Sequence, residues 1–278
     1  GEGQEERKKA RGVAARAPRD GAVTMYVLIT NDDGIDSPAL MPLKRAIDAI
    51  AETIVFAPDH NWSASGHPKT MHKPLRADPV VLADGSQGYA CSGAPSDCVA
   101  LAWLGVSARK PDLVVSGINL GANLGYDIFY SGTVAAAVEG VVNGIPGIAL
   151  SAAAGQSNFE GPARFAARLV QIVAQRGLPS DMFLNVNFPA IPWEEVKGVV
   201  ITRLGRRVYR DELISRLDPR GRPYYWIGGE PPGGVPDHGT DIWAVANGYI
   251  SITPVHLDMT AYHFQEELRR WNISPDEM

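Results

Sequence analysis

The stretch Tyr26-Val-Leu-Ile-Thr30, followed by Asn31-Asp-Asp-Gly34, decides the fold of this 278-residue chain. A run of apolar and β-branched residues that breaks abruptly into a polar turn predicts a buried β-strand. Residues 37–50 carry apolar side chains at helical spacing with Pro38 near the start, which predicts an amphipathic helix. A second buried strand is predicted at residues 53–57. Strand, helix and strand in this order favour a parallel sheet with helices on its faces.

The same alternation continues along the chain. Helices are predicted over residues 96–104, 134–143 and 162–176, and strands over residues 112–116, 148–151 and 182–187. Repetition of the strand-helix unit predicts an α/β fold whose doubly wound, mainly parallel sheet lies between two layers of helices.

The sequence changes in character after about residue 190. Residues 203–210 and 223–227 look extended, and residues 228–239 are so rich in Gly and Pro that we expect an irregular loop. We therefore predict a catalytic core over residues 25–190 and a C-terminal hairpin or arm over residues 191–278, which has too few core-forming residues to stand alone. Residues 1–24 are charged and rich in Gly and Ala, so we expect a disordered leader.

Composition narrows the classes of function. The formal net charge of -5 lacks the basic footprint of a protein that binds nucleic-acid polymers. No apolar run is long enough to span a membrane, and the first twenty residues lack the apolar centre of a secretory signal, so we expect a cytoplasmic protein without a membrane partner. Cys91 and Cys98 match none of the usual zinc or redox spacings and are predicted to be buried thiols.

Several common catalytic motifs are missing. The first strand is not followed by G-x-G-x-x-G, which argues against a dinucleotide-dependent dehydrogenase. Walker A, G-x-S-x-G and H-E-x-x-H are also absent, which argues against the common NTPases, serine esterases and zinc proteases.

Asp32 and Asp33 place two adjacent carboxylates at the carboxyl end of the first strand, where ligands bind in open α/β sheets. Their mutual repulsion is costly unless a cation or hydrogen-bond donors offset it, and a hard divalent ion is the simplest compensation. In the alternative interpretation, one aspartate caps the following helix and the other is solvated.

Three loops could complete such a site. Residues 116–125 form a Gly-rich loop with amide side chains, suited to close approach of a ligand. Ser131 or Thr133 could cap the next helix, or the loop that holds them could cradle a phosphate with its N–H groups. The hydroxyl residues of loop 58–67 could join a metal site or belong to an ordinary polar loop. His67, His72 and His256 lack ligand spacing and are expected to be hydrogen-bonded.

Taken together, these segments resemble the SurE family, the survival-protein nucleotidases. The resemblance spans about residues 25–256 and depends on six motifs that come in the order of the family: residues 29–34 (ITNDDG), 55–59 (VFAPD), 93–99 (GAPSDCV), 111–119 (PDLVVSGIN), 130–134 (YSGTV) and 248–254 (GYISITP).

The resemblance implies a Rossmann-like core, an extended C-terminal part used in forming a homodimer or homotetramer, and metal-dependent hydrolysis of nucleoside 5'- and 3'-monophosphates. It implies one divalent ion per subunit, Mg²⁺ or Mn²⁺, because all the ligands it indicates are oxygen donors. Those ligands are Asp32, Asp33, Ser63 and Asn119. The phosphate-contacting residues it indicates are Ser131, Gly132 and Thr133, with Asn31 close enough in sequence to join them.

The catalytic roles and two rival functions stay open at this point. Asp32 or Asp33 could act as a general base or as a transient phosphate acceptor. An exopolyphosphatase would need the same phosphate cradle beside a metal. A nucleotide-sensing module would bind the nucleotide without hydrolysing it.

Overall fold

The computed structural model describes residues 25–63, 65–235, 237–271 and 273–274. The predicted leader, residues 1–24, lies outside the described residues.

The first strand-helix-strand unit forms as predicted. Strand β1 spans Tyr26–Thr30, helix α1 Leu40–Asp48 and strand β2 Glu52–Pro58, and β1 and β2 pair in parallel. All five residues of β1 are buried. Helix α1 begins later than the sequence predicted, because the residues just before it form a turn in which Leu40 N donates to Ser37 O.

The core continues with eight further elements. These are β3 (Ala77–Val81), β4 (Gln87–Cys91), α2 (Pro95–Leu101), β5 (Leu113–Asn119), α3 (Gly132–Val142), β6 (Gly147–Ala152), α4 (Glu160–Arg176) and β7 (Met182–Phe188). The helix predicted over residues 96–104 is too long, because a wider turn at Ala102–Val106 contains Gly105 at a φ of 120°, outside the helical region. A short 3-10 turn at Gly125–Phe129 leads into α3.

The last third of the chain contributes six elements. These are β8 (Val199–Ile201), β9 (Arg207–Leu217), β10 (Pro223–Gly234), α5 (Asp241–Ala246), β11 (Ile250–His256) and α6 (Tyr262–Arg270). Strands β9 and β10 form a separate two-stranded antiparallel hairpin.

The remaining nine strands form one sheet in the order β3-β4-β2-β1-β5-β6-β7-β11-β8. Its central strands β2, β1, β5, β6 and β7 are parallel, and β3 and β11 are antiparallel to their neighbours β4 and β7. Helices α1 and α4 pack together, and α2 packs on α3. Together they cover the two faces, so the predicted α/β fold with a mainly parallel sheet is confirmed.

Two features of the C-terminal region differ from the sequence-based expectation. The prediction of an irregular loop over residues 228–239 is wrong for its first part, because β10 continues to Gly234 and pairs with β9. A two-stranded hairpin leaves one edge of each strand without a partner, which tolerates Pro and Gly. The main sheet also extends beyond the predicted core boundary at residue 190, because β11 pairs with β7 and β8 pairs with β11.

Other expectations concern membranes and thiols. No helix in the described part of the chain is long and apolar enough to cross a membrane. Cys91 and Cys98 are both buried and free, as predicted.

Candidate active site

The site lies where β1 and β5 end side by side. Thr30 and Ser116 are register partners, so the residues that follow them leave the same edge of the sheet. Asp32 and Asp33 come directly after β1, and Asn119 is the last residue of β5. A hydrogen bond from Leu120 N to Asp33 Oδ2, 3.2 Å long, joins the two loops.

Asn31 shapes the turn that presents the two carboxylates. Its Nδ2 donates to Gly34 O over 2.8 Å, and Gly34 N donates to its Oδ1 over 3.0 Å. Gly34 adopts a φ of 102°, a left-handed conformation that favours glycine. Asn31 is fully buried, and both the oxygen and the nitrogen of its side-chain amide form hydrogen bonds, so the structure places it beneath the site and gives it a role in the turn.

Helix α3 begins directly beside Asp32. Thr133 Oγ1 donates to Asp32 Oδ1 over 2.5 Å. A Cβ added to Gly132 would lie 2.8 Å from Asp32 Cβ, so only glycine allows this approach. Ser131 caps the helix, because its Oγ accepts a hydrogen bond of 3.1 Å from Val134 N. The structure therefore brings all three predicted phosphate-contacting residues to the carboxylate pair.

Ser63 enters from the loop after β2. Trp62 N donates to Asp32 O over 2.8 Å, which places the neighbouring Ser63 beside the turn after β1. The Ser63 side chain is exposed. Gly66 N donates to Tyr130 O over 2.9 Å, so the same loop also contacts the residue before the helix cap.

The alternative interpretation of the aspartates is not what the structure shows. The N-cap of α1 is Ala39, whose side chain makes no capping hydrogen bond. Asp32 is buried and accepts a hydrogen bond from the first turn of α3, and Asp33 is half-buried and accepts one from the loop after β5. Ser131 is a helix cap, and a capping serine keeps its own hydroxyl hydrogen to offer to an anion.

Burial raises the cost of ionising both carboxylates. Burial raises the pKa of Asp32 above its ordinary value, although the hydrogen bond from Thr133 partly opposes this effect. Burial and the neighbouring charge of Asp32 raise the pKa of Asp33 to about 6. Neither carboxylate forms an ion pair with a Lys, Arg or His of the described chain. The site therefore concentrates negative charge without a protein cation to balance it.

This arrangement fits a hard divalent cation. Asn119 Nδ2 donates to Gly121 O over 2.7 Å, which leaves the amide oxygen Oδ1 as a possible ligand. With Asp32, Asp33 and Ser63, the donor set consists of oxygen atoms, which Mg²⁺ and Mn²⁺ prefer. Within the described residues, no group of three or more His, Cys, Asp or Glu offers a rival metal site.

Comparison with known proteins shows the family of this chain. The family described as Survival protein SurE matches residues 27–211. The chain belongs to the SurE family. It is 55% identical over 250 residues to a protein named 5'-nucleotidase SurE from Chloroflexus aggregans, covering 89% of this chain and 99% of that relative. A relative of the same name from Herpetosiphon aurantiacus is 54% identical over 253 residues, with 89% and 99% covered.

A solved structure supports the fold of this SurE family member. The crystal structure of the SurE protein from Aquifex aeolicus superposes with a TM-score of 0.77 at 42% sequence identity, covering 89% of this chain and all of that one.

The structure also shows residues of this SurE family member that the sequence reasoning missed. Asn123, in the Gly-rich loop, donates from its backbone N to Asn187 Oδ1 over 2.8 Å and from Nδ2 to Ser151 Oγ over 2.7 Å. Asn185 and Asn187 of β7 both donate to Asn123 O. This buried network ties the loop that follows Asn119 to β6 and β7. The sequence held one signal of this network: Asn185 and Asn187 stand at alternate positions of an otherwise apolar strand, so both side chains point to the same face of the sheet.

Asp241 is a second anchor that the sequence did not reveal. It is fully buried and accepts hydrogen bonds from the backbone N–H groups of Gly125, Gly205 and Ile242 over 2.7 to 2.8 Å. It thereby joins α5 to the start of the 3-10 turn that leads into α3.

Proposed function

We propose that this SurE family member is a phosphomonoesterase that hydrolyses nucleoside 5'- and 3'-monophosphates to nucleoside and phosphate at the site around Asp32 and Asp33. The observation that carries the proposal is the hydrogen bond from Thr133 to Asp32. It joins a helix N-terminus, which attracts anions, to a carboxylate pair, which attracts cations. The relatives named 5'-nucleotidase support nucleotides as the substrate class.

The N-terminus of α3 binds the phosphate group in this proposal. The first backbone N–H groups of a helix have no acceptor within the helix, and here they belong to the segment from Gly132 onward. The hydroxyl hydrogen of Ser131 supplies one more donor. Because Gly132 has no side chain, α3 can begin directly against Asp32, so a phosphate group bound at the helix N-terminus would lie beside the carboxylate pair.

Asp32, Asp33, Ser63 and Asn119 would hold one divalent ion, with Mg²⁺ and Mn²⁺ as the candidates that suit their oxygen atoms. When bound, such an ion neutralises charge on the phosphoryl oxygens and lowers the pKa of a water molecule. The protein contributes the geometry, because Thr133 fixes Asp32 and Leu120 N fixes Asp33.

Asp33 is the better candidate for moving a proton. Asp32 is buried and already accepts the Thr133 hydroxyl, whereas Asp33 is half-buried and, among the described residues, accepts a single longer hydrogen bond of 3.2 Å from Leu120 N. Without a bound ion the pKa of Asp33 is raised to about 6. A bound cation would lower this pKa, so Asp33 would be ionised at neutral pH and able to accept a proton as a general base.

The assembly and the compartment belong to the same proposal. The β9–β10 hairpin exposes large apolar side chains, among them Leu213 at 70%, Trp226 at 62% and Ile227 at 81% of their surface. Apolar surface of this kind marks a protein interface, which supports oligomerisation through the C-terminal region as a homodimer or homotetramer. Two buried free thiols support a reducing compartment such as the cytoplasm.

The test is phosphate release from a panel of nucleoside 5'- and 3'-monophosphates with Mn²⁺, Mg²⁺ or EDTA. We expect release that requires the metal and that disappears in Asp32→Asn and Asp33→Asn, with both variants folded by circular dichroism. Asp36→Asn is the matched control, because Asp36 is an exposed carboxylate in the same loop. It should retain wild-type activity.

Two other outcomes would reject the proposal. Faster turnover of short polyphosphate than of any mononucleotide would indicate an exopolyphosphatase. Stabilisation by nucleotides without phosphate release, even with Mn²⁺, would indicate a binding module.

A further inference from the structure

Glu139 is a buried carboxylate that the proposed chemistry does not use. It is the only charged residue of α3 and is 2% exposed. Charged side chains are almost never fully buried unless they are paired, because an ionised group without partners in the interior is costly. Its partners therefore indicate what this position of the helix is for.

Two of its partners come from the loop that carries Ser63. His67 Nε2 lies 3.1 Å from Glu139 Oε2, and Lys69 Nζ donates to Glu139 Oε1 over 3.0 Å. Asn143, at the end of α3, also donates to Oε1. Burial alone would raise the pKa of Glu139, but these donors lower it below its ordinary value.

The contact of Glu139 with His67 and Lys69 joins helix α3 to an irregular loop. Glu139 is held in the middle of α3, whereas the side chains of His67 and Lys69 are 38% and 51% exposed. No helix or strand forms between the end of β2 at Pro58 and the start of β3 at Ala77 within the described residues. The shape of this loop therefore depends on the side-chain and backbone contacts that hold it.

Glu139 lies on the same face of α3 as the helix start beside Asp32, so the contact with the loop is close to the active site. Glu139 comes two helical turns after Gly132, on the same face of α3 and about 10 Å along its axis. The loop contacts Asp32 O through Trp62 N and Tyr130 O through Gly66 N, and then reaches Glu139. Ser63 lies between the first two of these contacts.

We propose that Glu139 is a positioning residue that, through His67 and Lys69, holds the loop of residues 61–70 so that Ser63 faces Asp32 and Asp33. This role rests on the proposed function. Glu139 itself touches neither substrate nor ion, and it acts by restricting the loop that supplies the exposed hydroxyl.

The principal test compares Glu139→Gln with the wild type by three measurements. These are hydrogen–deuterium exchange of residues 61–70, Mn²⁺ affinity from the electron paramagnetic resonance signal of free Mn²⁺, and the separate kcat and KM for a nucleoside monophosphate. We expect faster exchange in the loop and a Kd for Mn²⁺ that is weaker by about 10-fold, as for residues that orient metal ligands. We also expect that saturating Mn²⁺ restores much of kcat.

Asp84→Asn is the matched control. Asp84 accepts a hydrogen bond of 2.8 Å from the buried Lys44, which ties the turn after β3 to α1 on the opposite face of the sheet from α3. This substitution breaks a comparable ion pair, so it should lower Tm without changing Mn²⁺ affinity or exchange in residues 61–70.

A second variant removes the other side of the contact. His67→Ala with Lys69→Met changes only partly exposed side chains, so it tests the proposal even if Glu139→Gln does not fold. Added to Glu139→Gln, it should cause little further loss of Mn²⁺ affinity, because both changes break the same contact.

The outcomes separate the two hypotheses. A lower Tm with unchanged Mn²⁺ affinity and loop exchange in both variants would show that Glu139 is only structural and would overturn the inference. If the wild type hydrolyses no nucleotide, the proposed function fails. The Mn²⁺ and exchange measurements still decide whether Glu139 positions the loop.

Discussion

Replacing Gly132 by alanine should impair the proposed phosphate-binding segment, residues 131–133, much more than it lowers the stability of the protein. The added Cβ would lie 2.8 Å from Asp32 Cβ and 3.2 Å from both Asp32 Oδ2 and Pro95 Cγ. Carbon atoms at optimal separation lie about 3.5–4.0 Å apart. The start of α3 and the turn after β1 must therefore move apart by up to about 1 Å.

The size of the effect follows from that displacement. Overpacking of this kind costs about 1–3 kcal/mol of unfolding free energy, of which the better helix propensity of alanine recovers up to about 1 kcal/mol. A misplacement of about 1 Å at a catalytic centre costs roughly 100-fold in rate. We therefore expect kcat/KM of Gly132→Ala to fall by about 100-fold while Tm changes by only a few degrees.

Gly140→Ala provides a control on the same helix. A Cβ at Gly140 would lie 2.8 Å from Val114 Cγ2, the same distance as in the first variant, but more than two helical turns away from Asp32. Steady-state phosphate release and thermal unfolding should show similar losses of Tm and a loss of kcat/KM confined to Gly132→Ala. Equal activities in the two variants would refute the proposal that residues 131–133 bind the phosphate group beside Asp32.

Three further predictions concern single contacts. Thr133→Val removes a hydrogen bond to a buried carboxylate and should lower kcat/KM by roughly 10-fold or more, whereas Thr133→Ser should keep most of it; wild-type kinetics in the valine variant would argue against this contact. With EDTA present, the Tm of the wild type should fall as pH rises from 4 through 6, because the pKa of Asp33, raised to about 6, makes the folded state bind a proton that the unfolded state releases. The same fall in Asp33→Asn would contradict that assignment. Asp241→Ala leaves three backbone N–H groups without their acceptor and should cost about 3–5 kcal/mol in urea unfolding; a loss below about 1 kcal/mol would show that water replaces the carboxylate.

The parallel core was predictable because its signal is local. Strand β1 is five buried residues in a row, and the spacing of apolar residues in α1 matches the side that it buries. The hairpin was only half predictable. Strand β10 includes Gly and Pro residues that local propensity assigns to a loop, and its pairing with β9 overrides that propensity.

The same distinction applies to the active site. The carboxyl ends of parallel strands meet at one edge of a sheet, so the approach of Asn119 to Asp32 and Asp33 follows from the strand assignments. The contact between Thr133 and Asp32 spans 101 positions of the chain. Local sequence offered the loop of Thr133 as one candidate to complete the site, but it did not predict this hydrogen bond. Asn31 was predicted to join the site, but nothing local indicated that both the oxygen and the nitrogen of its side-chain amide bond to Gly34.

The residues that hold the loops of the site give a weaker signal in the sequence, namely a polar residue within an apolar helix or strand. Glu139 interrupts an otherwise apolar helix, and Asn185 and Asn187 interrupt an otherwise apolar strand. A polar residue that must be buried requires a partner, so each interruption predicts that some other segment bonds there. Which segment it is depends on contacts over 62 to 72 positions, between His67 and Glu139 or between Asn123 and β7. A polar residue within an apolar element therefore indicates, from sequence alone, where a loop is held. Which loop is held there becomes known only from the fold.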